Sequence, residues 1–333
     1  MFDNHIKYAH VLNGEERGRE LDDETLRHVL KADTLGWVHL DGNHPDAAEW
    51  ITEHLDYLDP QAVEALLDPA SRPRLTPLGD GLMIILRVIN FNEGEDPEDM
   101  ISLRVWIDAH RIVTVSLRRV RAVERLDAAL SKGEGPRTSG EFLSRLIEDI
   151  TGKIGGFQAD LDEQMEALED QIVREEDDGL RAEVVNLRLK VIAARRFIAP
   201  QRDVIHGIAA SRSPVIDDET HREVEEEAQK MTRIVEDLDE LREQAMVLRE
   251  ELSSQLSDRL NRNMFVMSVV SVIFLPLGFL TGLFGVNVGG MPGVNDGDAF
   301  YWLVGWLTLL VALLVFFLWR VRWIRFGARR RRL

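Results

Sequence analysis

Alternating intervals of four and three residues pick out Ser257, Asn261, Met264, Ser268, Ser271, Leu275, Gly278 and Gly282, a small or polar stripe broken only by Met264 and Leu275. The stripe runs straight toward Gly285-Val286-Asn287. Hydroxyl and amide groups in a row do the chemistry of solvation: repeated around a symmetry axis they line a wet lumen, and apolar rings at Met264 and Leu275 gate it by dewetting. At its end the Asn287 amide, with nearby backbone carbonyls, offers neutral oxygen acceptors that hold a cation's hydration shell without stripping it. Ser and Gly are also common where transmembrane helices touch, and an Asn after a glycine is most often a cap or turn residue. The position of Gly285, Val286 and Asn287 at the mouth of the stripe is what gives the tripeptide meaning.

Two apolar stretches, 264–283 and 300–319, must carry this stripe, and neither contains a charged side chain. At about 1.5 Å per residue, 20 residues span roughly 30 Å, the thickness of the hydrocarbon core. Arg259 and Arg262 precede the first stretch, and seven arginines crowd into 320–333 after the second, whereas the loop between, 284–299, has no Lys or Arg. The positive-inside rule therefore predicts both termini in the cytoplasm, an external loop, and a basic cytoplasmic tail. Tyr301, Trp302, Trp319 and Trp323 stand where amphipathic rings favour the membrane boundary. The first ten residues lack an apolar core, so no cleaved leader is expected.

Upstream, no Gly or Pro occurs between Pro214 and Pro276. This predicts one rod over 215–283 that enters the membrane at 264, and a rod of that length needs neighbours, either the preceding hairpin or copies of itself. Residues 138–212 read as an acidic antiparallel helical hairpin. Leu143, Ile147, Ile150, Ile154, Phe157, Leu161, Met165, Leu168 and Ile172 form one stripe of its first helix, and ten acidic residues fall within 160–178. Such a run is either a solvated face or a cation-attracting one. Residues 1–137 mix strand signals at 7–12, 37–40, 81–91, 101–108 and 112–117 with helix signals at 22–31, 45–54 and 60–67. Ala109-His110 is read as a hairpin turn. The expected fold class is α+β with a mostly antiparallel sheet, followed by the stalk and a two-helix membrane hairpin.

The chain of 333 residues has a formal net charge of −18, and the C-terminal arginines mask a further seven. Nucleic acid is an unsuitable partner for that surface, while a concentrated negative field raises the local cation concentration. There is no cysteine, which excludes disulfides and thiolate metal sites. His5, His10, His28, His39, His44, His54, His110, His206 and His221 form no helical pair, so solvated or core histidines are expected rather than a tight tetrahedral zinc site. No phosphate-cradling loop, nucleophile elbow or paired-histidine motif points to an enzyme, and no resident cofactor is expected.

The two-helix hairpin with Gly285-Val286-Asn287 and Met291-Pro292, the long helix before it, the acidic hairpin and the N-terminal α/β domain resemble, in that order, the CorA-type metal ion transporters. Arg72-Pro73-Arg74 with Asp80-Gly81, the run Asn90 to Met100, and Gly285 to Gly293 resemble the zinc-transporting ZntB branch. The resemblance implies a funnel-shaped homopentamer in the bacterial inner membrane that passes divalent cations along its axis, with zinc as cargo and proton-driven uptake. Val286 stands where Met is usual in the magnesium channels, and Gly293 where an acidic residue commonly follows Met-Pro. Asp296 and Asp298 are then the acidic candidates for collecting cations outside, unless they only form a solvated turn. No Asp, Glu, His or Lys lies in either membrane stretch to relay protons. Two other readings stand beside zinc transport: a magnesium, cobalt or nickel channel of the same architecture, and a membrane-anchored helical sensor or scaffold.

Overall fold

The computed structural model describes residues 5–29, 34–55, 58–68, 72–174, 179–285 and 297–329. The chain divides into two compact units, Met1–Glu250 and Glu251–Leu333.

The first unit is built on a six-stranded sheet of order β1-β2-β6-β5-β4-β3. Its strands are β1 (Ile6–Val11), β2 (Gly36–Asp41), β3 (Arg74–Leu78), β4 (Gly81–Val88), β5 (Ile101–Ile107) and β6 (Arg111–Ser116). The β2–β6 pair is parallel and the other pairs are antiparallel. The β5–β6 hairpin closes at Ala109-His110, where Asp108 N–H donates to the Arg111 carbonyl over 2.9 Å. Every residue of β5 is buried, as are all of β4 except Arg87, because the sheet is covered on both faces. That is why these strands read as continuous apolar runs. On one face lie α2 (Ala47–His54) and α3 (Pro60–Leu67), whose Trp50, Ile51, Ala62 and Leu66 join Val38, Leu40, Met83, Ile85 and Val113 in one core. On the other, the Phe142 ring packs 5.2 Å from that of Trp37, and Gln201 accepts from the Arg87 N–H.

Local signals set the helix starts. Asp59 accepts from Gln61 N–H at 2.8 Å ahead of Pro60 at the first helical position of α3. The Thr138 hydroxyl accepts from Glu141 N–H at 3.0 Å while the Glu141 carboxylate returns to Arg137 N–H, a capping arrangement that opens α5 (Ser139–Arg174). Asp217 caps α7 through Thr220 N–H at 2.8 Å, and that bond holds its carboxyl below the usual range.

Three features depart from the sequence expectations. Strand β3 is an element beyond those expected; it is an edge of the sheet, paired with β4, where the N–H that Pro77 lacks is tolerated. Helix α4 (Arg121–Ser131) is a further amphipathic element, burying Val123, Leu126 and Leu130. Helix α6 (Leu180–Ala209), the return arm of the hairpin, whose end the sequence predicts at about Ala199, continues through Pro200 to Ala209. All the expected apolar stripe of α5 is buried, and its carboxylates from Asp160 to Asp170 are exposed.

Helix α7 (Asp218–Gly285) is one uninterrupted helix of 68 residues that continues through Pro276. In the first unit it buries Val224, Ala228, Met231, Ile234, Val235, Leu238, Leu241 and Ala245. Arg195 of α6 donates from Nη2 to Asp239 Oδ2 of α7 at 2.8 Å, with its Nε in ion-pair contact with Oδ1 at 2.6 Å, and His206 Nε2 meets the Thr232 hydroxyl at 3.0 Å. The second unit holds the end of α7 and α8 (Ala299–Arg329), which among the described residues are the two helices long and apolar enough to cross a membrane.

Candidate pore stripe

The stripe begins as a property of helical repeat. Val224, Met231, Leu238 and Ala245 recur every seven residues and are buried. The same series continues as Leu252, Arg259, Val266, Ile273 and Leu280, of which all but the exposed Val266 are half-covered. A covered face that keeps a 3.5-residue repeat over this length is the signature of a helix wound with partners. On that repeat, Ser257, Asn261, Met264, Ser268, Ser271, Leu275, Gly278 and Gly282 take the positions roughly opposite the covered ones.

Every one of these residues is exposed, Met264 by 60% and Leu275 by 76%. A Cβ added at Gly278 or Gly282 would meet nothing within 4 Å. Among the described residues this face is open, while the opposite one mixes half-covered positions with exposed ones. The hydroxyls are partly committed: Ser257 donates to the Ser253 carbonyl at 2.9 Å and Ser268 to the Met264 carbonyl at 2.8 Å. Each such bond turns the proton back on the helix and presents the oxygen lone pairs outward, which suits a cation or its hydration water.

On the bulky side Phe265, Val266, Val270 and Phe274 are exposed, and Val269, Ile273 and Leu277 half-covered. In α8 the half-covered residues Leu303, Leu307, Leu310, Leu314 and Leu318 likewise form one stripe, and Tyr301, Trp302, Phe316 and Trp319 are bare. Bare aromatic and branched side chains in such number require an apolar solvent. Gly285 ends α7 and is exposed, and Asp298 is exposed just ahead of α8, its carbonyl accepting from Trp302 N–H at 3.2 Å. Val286, Asn287 and Asp296 lie outside the described residues.

The acidic loop 92–99 has a structural use. Arg118 pairs with Glu95 at 2.6 Å and Asp99 at 2.8 Å, and Asn90 Nδ2 donates to Glu95 at 2.6 Å. Gly81, in the Asp80-Gly81 turn, lies so close under Trp106 that any Cβ would collide with the ring. These parts of the family-like runs stabilise the sheet's rim.

Sequence reading missed one constellation, because its members are far apart in the chain. His5, His44 and Asp46 each place a possible ligand atom within 4.8 Å of the others. Only the pairing of β1 with β2 brings them together.

The sequence pattern of the family described as CorA-like Mg2+ transporter protein matches residues 32–323. The chain is 34% identical over 317 residues to the zinc transport protein ZntB of Yersinia enterocolitica, covering 95% of each chain. It is 34% identical over 325 residues to the divalent cation transporter CmaX of Pseudomonas aeruginosa, covering 95% of this chain and 96% of that one. Among solved structures, full-length CmaX superposes with a TM-score of 0.82 at 32% identity, over 96% of this chain and 99% of that one. The CorA magnesium transporter of Methanocaldococcus jannaschii shares the fold, with a TM-score of 0.78 at 18% identity over 93% and 97% of the two chains. A match over nearly the whole length, joined to a long helix that ends in a bare two-helix apolar unit, places this chain in the family of CorA-like Mg2+ transporter proteins.

Proposed function

We propose that the chain carries divalent cations, zinc foremost, across the bacterial inner membrane through the axis of a homopentamer, with both termini in the cytoplasm. The observation that supports this reading is the polar stripe of α7: from Ser257 to Gly282 it is exposed along its whole length, and it continues, in one unbroken helix, a rod whose side chains from Val224 to Ala245 are packed. Five copies of the rod would place Ser268, Ser271 and Gly278 in rings around a wet lumen, with Met264 and Leu275 as the constrictions. Asn287 at the mouth would hold the ion with its water, and Asp296 and Asp298 would gather cations outside. Lipid would cover the bulky faces of α7 and α8.

The relatives named as zinc transporters favour zinc as the cargo, and the absence of an acidic residue after Met291-Pro292 weakens the case for magnesium. A broader divalent specificity is the second reading, favoured by the CmaX relative, whose name gives only divalent cations. Any proton coupling would act through groups outside the two apolar stretches or through lumen water, since those stretches hold no Asp, Glu, His or Lys.

Purified protein in liposomes, followed for zinc, cobalt, nickel and magnesium entry with and without a pH gradient, tests cargo and coupling together. Zinc entry faster than magnesium entry and loss of zinc flux in Asn287→Ala are the expected results; unchanged flux in Asn287→Ala would remove the filter role. Gly278→Leu should block a pore, whereas a scaffold would merely repack.

A further inference from the structure

We propose that His5, His44 and Asp46 form a binding site for zinc or a chemically similar ion on the α+β unit, separate from the transport stripe. The site is assembled by the fold. His5 stands immediately before β1, and its carbonyl accepts from Asp41 N–H at 2.8 Å, which ties the start of β1 to the end of β2. The chain then turns: Asn43 N–H donates to the Asp41 carboxylate at 3.0 Å and His44 N–H to the Asp41 carbonyl at 3.1 Å. These bonds bring the His44 ring to 5.8 Å from that of His5, tilted by 44° rather than stacked.

Asp46 supplies the independent observation. It occupies the N-cap position of α2, where a carboxylate ordinarily accepts from the helix's first N–H groups, yet its side chain makes no such bond. Instead one carboxylate oxygen lies 3.6 Å from His44 Nδ1. The Nδ1 lone pair accepts a long bond of 3.3 Å from Asp46 N–H, which a metal ion would replace.

The donor set decides the class of ion. Two imidazoles and one carboxylate within 4.8 Å of one another suit a borderline metal. With metal–ligand bonds of about 2.0–2.2 Å, small side-chain rotations close the set and leave a fourth position for water. Magnesium prefers oxygen donors and keeps its own water, so it is a poor competitor here. His5 is only 4% exposed and lies 5.9 Å from the buried Trp50 ring, so one wall of the site is apolar and the imidazole is held in place. His44 is half-buried and Asp46 exposed, which leaves a path for the ion from solvent.

Zinc titration of the purified full-length protein in detergent, with magnesium in excess, tests the site. The wild-type chain should bind one zinc per chain more than His44→Ala does, and Asp46→Asn should weaken that ion at least tenfold. Asn287→Ala, aimed at the pore, should retain it, so failure of this site and failure of the transport reading give different results. In the wild type, saturating zinc should raise the unfolding temperature of the α+β unit by mass action, and in His44→Ala this shift should be absent. Cobalt bound in place of zinc should give the intense visible bands of a four-coordinate nitrogen and oxygen site. Equal zinc stoichiometry in wild type and His44→Ala, or equal thermal shifts, would overturn the proposal. His44 and Asp46 are surface-accessible, so neither substitution is expected to unfold the sheet.

Discussion

The two halves of α7 have opposite surroundings. From Val224 to Ala245 its apolar stripe is buried within its own chain; from Met264 to Phe284 side chains of the same kind are exposed or half-covered, with Met267, Phe274 and Phe279 about 70% exposed. The helix does not change at the border, and its seven-residue register continues in half-covered positions, with Val266 exposed among them. What changes is the partner. The first half packs on α5 and α6, as Ile234 does beside Gly155 and Thr232 beside His206, so its structure is a property of one chain. The second half has a stripe of hydroxyls and glycines that none of the described residues covers, and it is on this stripe that the proposed assembly would seat its other copies, with lipid against the bulky side.

The difference is sharpest for deletion of apolar volume. Leu238→Ala, in the buried stripe, should destabilise the α+β unit by about 2–5 kcal/mol through lost transfer energy and a residual cavity. Phe279→Ala, 68% exposed, should leave unfolding of that unit unchanged. Thermal unfolding of the two full-length variants checks both, and equal losses would show that the halves are not energetically separate.

Protonation should discriminate between the halves in the same sense. His39 is buried, with Nδ1 2.9 Å from the Thr114 hydroxyl and Nε2 3.4 Å from that of Ser116. Desolvation pushes its pKa from 6.5 down to about 4. The folded state therefore keeps His39 neutral where the unfolded chain protonates it. The stability it contributes is complete above about pH 6.5 and is lost as pH falls to about 4, on the order of 3 kcal/mol in all. Unfolding of the α+β unit followed from pH 7 to pH 4 should show this slope, and His39→Gln should flatten it. The membrane stretches hold no group that titrates in this range.

The smallest effect belongs to the ion pair between α6 and α7. Arg195 and Asp239 are each about one-third exposed, so solvent screens them and the pair should contribute about 1 kcal/mol or less. A double-mutant cycle with Arg195→Gln and Asp239→Asn should give that coupling, and added salt should shrink it. Arg195 holds the Asp239 carboxyl below its usual range, so the coupling is present above the ordinary aspartate pKa and is lost as pH falls through the lowered one.

Much of this was legible in the sequence because it rests on periodicity. The α5 stripe, the unbroken α7 and the paired apolar stretches are one-dimensional patterns that the fold simply uses. Pro77 and Pro200 sit inside a strand and a helix because a single proline removes one N–H bond, and an edge strand or a long helix tolerates that loss. Helix α4 was passed over although Val123, Leu126 and Leu130 stand at helical spacing. The pairing of His5 with His44 left no trace along the chain, because strand register alone creates it.

The account depends most on which face of α7 meets water inside the membrane, and the chain has no cysteine, so single cysteines can report it without background. Ser268→Cys, Ser271→Cys and Val269→Cys in liposomes should be treated with a charged, membrane-impermeant thiol reagent added to both sides, with zinc flux recorded before and after. The account predicts that Ser268→Cys and Ser271→Cys react and lose flux while Val269→Cys does neither. Reaction at Val269→Cys with both serine positions silent would contradict it.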